Sequence, residues 1–291
     1  MDDVDDFREA GRIVRRVLRR AQREIDVGDD LLEVAEYLED LIRDAGAEPA
    51  FPVNLSLNEV AAHYTPGPEG GPELEPGSIL KVDVGAHVHG AIGDAAITLV
   101  FDHELGERLV EAARAALKAA VEVVGPGVTC REVGRAIGEA CRERGFRPVT
   151  GLTGHEVRRW NLHAGASIPN DDLPGYEDEL REGMIVAIEP FVTTEAGDGD
   201  VEPGRHVEIF SVKNPNQRSR VNLRRIYEER RSLPFARRWL GSSVSRLELL
   251  RLSRLGALKA YPELVERNGE PVAQWEHTVL VTEDGCEVLT R

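Results

Sequence analysis

Aromatic residues are scarce in this 291-residue chain, Phe, Trp and Tyr making up 5% of it beside only two methionines, too few for a cofactor box. Cysteine is sparse as well. Cys130, Cys141 and Cys286 are odd in number and have no C-x-x-C spacing. That pattern excludes a disulfide scaffold and a thiolate zinc knuckle; the three read as small core residues in a reducing compartment. No apolar run approaches the roughly 20 residues that cross a bilayer, so no membrane partner is expected. The start, MDDVDDFREA, has neither a basic nor an apolar signal region, and a cytoplasmic location is expected. The glycosylation-like triplet Asn54-Leu55-Ser56 then carries no weight.

What the chain does have is an apolar fraction of 41%, enough for one large domain or two modest ones, and a net charge of −16. That charge argues against DNA as a partner. It is unevenly spread. Between Ser211 and Ala260 thirteen Lys or Arg face three acids, Glu228, Glu229 and Glu248, so this stretch is +10 and the rest −26.

Two amphipathic helices open the chain, one through Phe7, Ala10, Val14, Val17, Leu18, Ala21 and Ile25, the next through Leu31, Val34, Ala35, Leu38, Leu41 and Ile42. The second returns about 99 residues on. Gly28, Glu33-Val34, Leu38, Arg43, Gly46 and Pro49 line up with Gly127, Glu132-Val133, Ile137, Arg142, Gly145 and Pro148. His63 has a loose counterpart at His163. Leu74, Gly77, Ile79 and Val82-Asp83 match Leu180, Gly183, Ile185 and Ile188-Glu189 at an offset of 106. Both latter segments are Gly-launched β-branched runs ending in a carboxylate, which predicts buried strands. A duplicated α/β unit packs about a pseudo-twofold axis, and the chemistry is expected at the seam.

Residues 211–261 break the repeat. Leu247, Leu250, Leu252 and Leu255 are at helical spacing, with turn signals at Leu233-Pro234 and Gly241-Ser242-Ser243. We read a helical insertion subdomain over 211–261, within a catalytic domain of 1–210 and 262–291. Final strands are expected over Val272–Val281 and Glu287–Leu289.

Asp83 and Asp94 lie 11 residues apart across a strand-turn-strand segment containing Gly85, Gly90 and Gly93. His155 follows an extended run, Glu189 precedes Pro190, and Glu276 interrupts the apolar string VAQWEHTVLV. Four carboxylates buried together would be forced to protonate unless cations compensate them. One imidazole with four carboxylates is an oxygen-rich set suited to Mn(II), Fe(II) or Co(II), with zinc a further option, and two carboxylates free to bridge suit two ions. His87 and His89 alternate with Asp83 on the same strand and form a rival ligand pair, although Gly90 turns the chain there.

The strings FPVNLSLNEVAAHYTP from Phe51, KVDVGAHVHG from Lys81, LTGHEV from Leu152, LHAGASIPN from Leu162, IVAIEPF from Ile185 and AQWEHT from Ala273 resemble, in order, those of the pita-bread methionine aminopeptidases. The resemblance covers essentially the whole chain, and the insertion before Tyr261 points to type 2, the archaeal and eukaryotic form. It implies an α+β pita-bread fold and removal of the N-terminal methionine from nascent chains. It further implies that Asp83 chelates one metal, that His155 and Glu189 hold the other, and that Asp94 and Glu276 bridge. His63 and His163 would flank the scissile peptide and Glu189 would carry the proton. Phe51, His206, Tyr261 and Gln274 would form the methionine pocket.

Departures from the family pattern are Gly151, Trp275 and the small Gly93 and Ala95 beside Asp94. A proline peptidase would share the ligands but usually carries a separate N-terminal domain, which the 82 residues before Asp83 do not provide. A non-catalytic relative would have lost ligands. A monomer is expected, and the basic insertion suggests docking on ribosomal RNA near emerging chains.

Overall fold

The computed structural model describes residues 2–241 and 244–291; of the turn signal at Gly241-Ser242-Ser243, the two serines lie outside the described residues. The first half runs α1 (Asp2–Glu24), α2 (Leu31–Asp44), β1 (Glu48–Pro49), β2 (Asn54–Leu57), β3 (Val60–Ala62), β4 (Ile79–Val88) and β5 (Ala91–Val100). The second runs α3 (Glu104–Val123), α4 (Cys130–Arg142), β6 (Arg147–Pro148), β7 (Thr153–Arg158), β8 (Asn161–Pro169), β9 (Ile185–Ile188), β10 (Phe191–Thr193) and β11 (Val201–Val212). Then follow α5 (Leu223–Arg230), β12 (Phe235–Ala236), a 3-10 turn (Arg237–Leu240), α6 (Arg246–Arg254), β13 (Leu258–Glu266), β14 (Val272–Gln274), β15 (His277–Thr282) and β16 (Gly285–Val288).

The repeat read from sequence is repeated in hydrogen bonds. Asp30 caps α2 and Thr129 caps α4, each side chain accepting from amides of the first turn. Gly28 donates to Leu74 O and Gly127 to Leu180 O, both at 2.8 Å. These glycines take φ of 94° and 83°, a left-handed conformation that a side chain would strain. The register agrees too: β1 pairs with β4 through Pro49–Ala86, and β6 with β10 through Pro148–Val192. The sequence reading missed that α1 and α3 open the two halves in the same way, because the two helices share a shape and not a string of residues.

In the first half β4 is one continuous strand of ten residues. Its counterpart is broken at Glu189-Pro190 into β9 and β10, and the strand expected over Val272–Val281 is broken opposite it, at Trp275-Glu276, into β14 and β15. Proline lacks the N–H that a continuous ladder needs at that point. Here β5 meets its own counterpart: Thr278 Oγ1 bridges the backbone N and O of Asp94, Thr98 Oγ1 bridges those of Gln274, and Glu276 N donates to Ala96 O. Equivalent threonines making equivalent bonds place the pseudo-twofold axis at this seam.

Each half has its own apolar core, one built on α1, α2 and β4 with Leu31, Leu38 and Val82 buried, the other on α3, α4 and β9 with Leu109, Ile137 and Val186 buried. Trp275, one of the departures, touches both, and Arg114 lies 4.9 Å from its ring centroid. Gly93 lets α1 approach, since a Cβ there would meet Ala10 and Gly11 backbone at 2.7 Å.

Residues 213–257 form the helical excursion between β11 and β13, which pair with each other, so Ser211–Val212 and Leu258–Tyr261 are strand. It has its own core of Phe210, Val221, Ile226, Phe235, Leu249 and Leu252. The buried stripe of α6 is Leu249 and Leu252, whereas Leu247 and Leu255 of the expected stripe are exposed. The arginines divide sharply. Arg224 and Arg225 are exposed and pair with Glu228 and Glu229 one turn on. Arg237 and Arg238 are buried, Arg237 on Glu208 and Glu69, Arg238 on Glu39 of α2 and on Thr65 and Pro66. Arg237 and Arg238 are therefore internal staples and not docking surface.

Candidate metal centre

Antiparallel register delivers the acidic side chains to one place. Asp83 lies on β4 and Asp94 on β5, where it opposes Gly85. His155 comes from β7, paired with β9, whose end presents Glu189. Glu276 comes from the β14–β15 break. All five line one cavity of about 240 Å³, together with Phe51, His63, His163 and Tyr261. Its remaining wall is largely apolar: Ala62, Leu152, Leu162, Phe191, Ile209 and Pro234.

His155 Nε2 lies 3.7 Å from Asp94 Oδ2 and 3.5 Å from Glu189 Oε1. One ligand atom from each of Asp94, His155 and Glu276 falls within 4.8 Å of the others. Gln274 Nε2 donates to Glu276 Oε2 at 3.1 Å. Burial pushes the Asp83 carboxyl up to about 7. It raises Asp94, Glu189 and Glu276 well above the carboxylate range, helped by their mutual repulsion. Desolvation pushes His155 down to about 4, leaving a neutral imidazole at pH 7.

Asp83 Oδ1, Asp94 Oδ1 and His155 Nδ1 are buried without a hydrogen-bond partner among the described residues. An orphaned buried acceptor costs about 1–3 kcal/mol, and the cluster places two of them among repelling carboxylates. A divalent cation removes both penalties at once. The residues present fit one, and the hard oxygen donors match the ions that such sites select.

Residues 5–283 match the profile of metallopeptidase family M24. The chain belongs to that family. It is 44% identical over 294 residues to a methionine aminopeptidase of Pyrococcus abyssi, covering 99% of each chain. Among solved structures it superposes on a methionine aminopeptidase of Thermotoga maritima with a TM-score of 0.74 and 27% identity, over 100% of this chain and 97% of that one. A prolidase from Pyrococcus furiosus shares the fold with a TM-score of 0.66 and 21% identity, and this chain spans 64% of it. The α+β pita-bread architecture expected from the motifs is the one this M24 chain has.

Other site candidates are placed as follows. His63 ends the β2–β3 hairpin with φ 64°, in the left-handed region uncommon for a side-chain-bearing residue. The hairpin turn is clamped by Lys81 Nζ, which donates to Asn58 O at 2.6 Å. Desolvation pushes His63 down to about 4 against a hydrogen bond to the Pro262 backbone. The His163 ring stands 4.5 Å from that of His155, and Tyr261 lies edge-on to His63 at 5.8 Å. Phe51 packs on Gly85, where a Cβ would meet the ring at 2.2 Å, so this glycine is required for the aromatic wall.

His206 and Gln274 do not line the cavity of this M24 site. His206 stacks on Tyr64 at 4.4 Å and bonds Thr65 O, while Gln274 reaches the site only through Glu276. The rival pair His87 and His89 sits elsewhere, His87 against Trp160 and His89 beside Asp6. Gly151, another departure, lies on the cavity wall against Asp200. Missed from sequence were Asn54, Leu162, Ile209 and Pro234. Alternation could have flagged Leu162 beside His163, but no local signal marks Pro234.

Proposed function

We propose that the cavity is the active centre of a methionyl aminopeptidase that removes the N-terminal methionine of nascent chains. Asp83, Asp94, His155, Glu189 and Glu276 would hold two divalent ions, Co, Mn or Fe(II), with zinc a further option. The observation that carries this reading is one small cavity lined both by four carboxylates and an imidazole and by Phe51, Leu162, Phe191, Ile209, Pro234 and Tyr261. The apolar lining suits a thioether side chain, and the acidic groups suit a free α-amine. Bound metal supplies Lewis acidity toward the carbonyl and a water acidified toward neutral pH.

The chain's own groups do the rest. Glu189, 3.5 Å from His155, would take a proton from water and return it to the leaving amine, its carboxyl drawn to the ionised form by the bound cations. His63 and His163, both held neutral by desolvation, present hydrogen-bonding nitrogens to the scissile amide without adding charge. One chain supplies every site residue, so a monomer suffices, and no helix among the described residues is long and apolar enough to cross a membrane. A cytosolic enzyme contacting ribosomal RNA would use exposed cations of this segment such as Arg218, Arg220, Arg231, Arg251 and Arg254, and not the buried Arg237 and Arg238.

The test is hydrolysis of Met-Ala-Ser, Leu-Ala-Ser and Ala-Pro peptides after chelation and after return of Mn, Co, Fe or Zn. Metal-dependent release of methionine alone is expected. Release of residues ahead of proline would make the chain a proline peptidase, and no turnover with any ion would make it a binding protein.

A further inference from the structure

Two exposed cations, Lys213 and Lys259, lie outside the cavity, beside the strands that bring Ile209 and Tyr261 to it. Ile209 of β11 and Tyr261 of β13 are paired in register and both line the cavity. Strand alternation sets the next same-face pair, Ser211 and Lys259, one step outward. Ser211 Oγ lies 3.2 Å from the Tyr261 hydroxyl, and Lys259 Nζ lies 4.3 Å from the Tyr261 ring centroid. Lys213 follows, its amide on Ala257 O where the strands part.

Neither lysine has a carboxylate partner among the described residues, whereas Arg224, Arg225, Arg237 and Arg238 of the same segment all do. On a body carrying −26 outside this segment, unpaired cations at the mouth attract anions.

We propose that Lys259, backed by Lys213, is a subsite for a carboxylate at the third residue of the substrate. This deepens the aminopeptidase reading and rests on it. With methionine in the cavity, the following residues leave past Tyr261, and an extended chain advances about 3.3 Å per residue. The third residue then comes level with an ammonium folded over the tyrosine ring. The carboxylate is either an acidic side chain or the free C-terminus of a tripeptide.

The experiment uses the full chain loaded with Mn(II) or Co(II) and the amidated peptides Met-Ala-Glu, Met-Ala-Gln and Met-Ala-Lys, with Met-Ala-Ser both free and amidated. At low salt the Glu peptide should have a KM about threefold below that of Gln, and the Lys peptide one above it, kcat being level. Free Met-Ala-Ser beating its amide would assign the subsite to the C-terminus as well; the Glu preference among amides assigns it to the side chain. High salt should flatten the series. Lys259→Glu should invert the order and Lys259→Arg keep it. A flat wild-type series at low salt, or an order that survives Lys259→Glu, overturns the proposal. Absence of turnover with every peptide would sink the aminopeptidase reading instead. In that case the same series, measured as calorimetric affinities of analogues with the first amide reduced, still decides the subsite.

Discussion

Replacing Asp83 by Asn in the metal-free protein should stabilise the fold, and only above about pH 4. The folded state holds this carboxyl at about 7 against an ordinary 3.8, because burial disfavours the charged form. A group whose folded pKa is raised gives its full stability at low pH and loses it as pH rises. Each pH unit across that window costs about 1.4 kcal/mol, which sets a ceiling of about 4 kcal/mol reached near pH 7. One edge of Asp83 borders the cavity and keeps some solvent, so about 2–4 kcal/mol is expected at pH 8, a rise in Tm of roughly 4–8 °C. Asn keeps the shape and cannot ionise. With Mn(II) or Co(II) at a thousandfold excess over its Kd the gap should close or reverse, since the ion then stabilises the wild type by about 4.1 kcal/mol and the variant binds it poorly. Thermal unfolding with chelator and with metal, at pH 4.5 and pH 8, reads both effects. A variant no more stable than wild type at pH 8 in chelator would refute the claim that these carboxylates are strained for the sake of an ion.

Other outcomes follow from particular contacts. Arg238→Met leaves the buried Glu39 with Trp239 and the Val53 amide as donors and the half-exposed Arg43, 3.7 Å away, as its remaining cation, and should cost about 3–5 kcal/mol in urea unfolding; adding Glu39→Leu should recover most of it. Arg230 donates to Pro49, Ala50 and Pro234 carbonyls, so it holds Phe51 and Pro234 in place. Arg230→Met should lower the kcat/KM preference for methionine over leucine about tenfold with metal content kept, and an unchanged preference would show that the wall holds itself. His63→Ala should lower kcat about 100-fold or more while elemental analysis finds the same metal; loss of metal would make His63 a ligand.

The helices, the repeat and the ligand candidates were legible in the chain because each leaves a local trace. Amphipathic spacing marks α1 and α2, a Gly turn before a β-branched run marks β4 and β9, and a carboxylate inside an apolar string is costly enough to be noticed wherever it lies. The pairing of halves was legible only where residues had stayed alike, as at Gly28 and Gly127, and not at α1 and α3. The break at Trp275-Glu276 was invisible because VAQWEHTVLV has the hydropathy of one strand; the interruption comes from Pro190 on the strand opposite.

By itself the sequence determined which residues could bind a cation, that they belong to a duplicated α/β frame, and that a basic excursion interrupts it. Only the tertiary structure decided that Glu276 meets Asp94 across the pseudo-twofold seam, that Ile209 and Pro234 close the cavity while His206 does not, and that Arg237 and Arg238 are staples whereas Lys213 and Lys259 have no carboxylate partner among the described residues. Hydropathy and spacing report which face of an element is apolar. The fate of a guanidinium or an ammonium depends instead on carboxylates and carbonyls supplied from distant parts of the chain: Glu39 meets Arg238 nearly two hundred residues away, and no local pattern encodes that meeting.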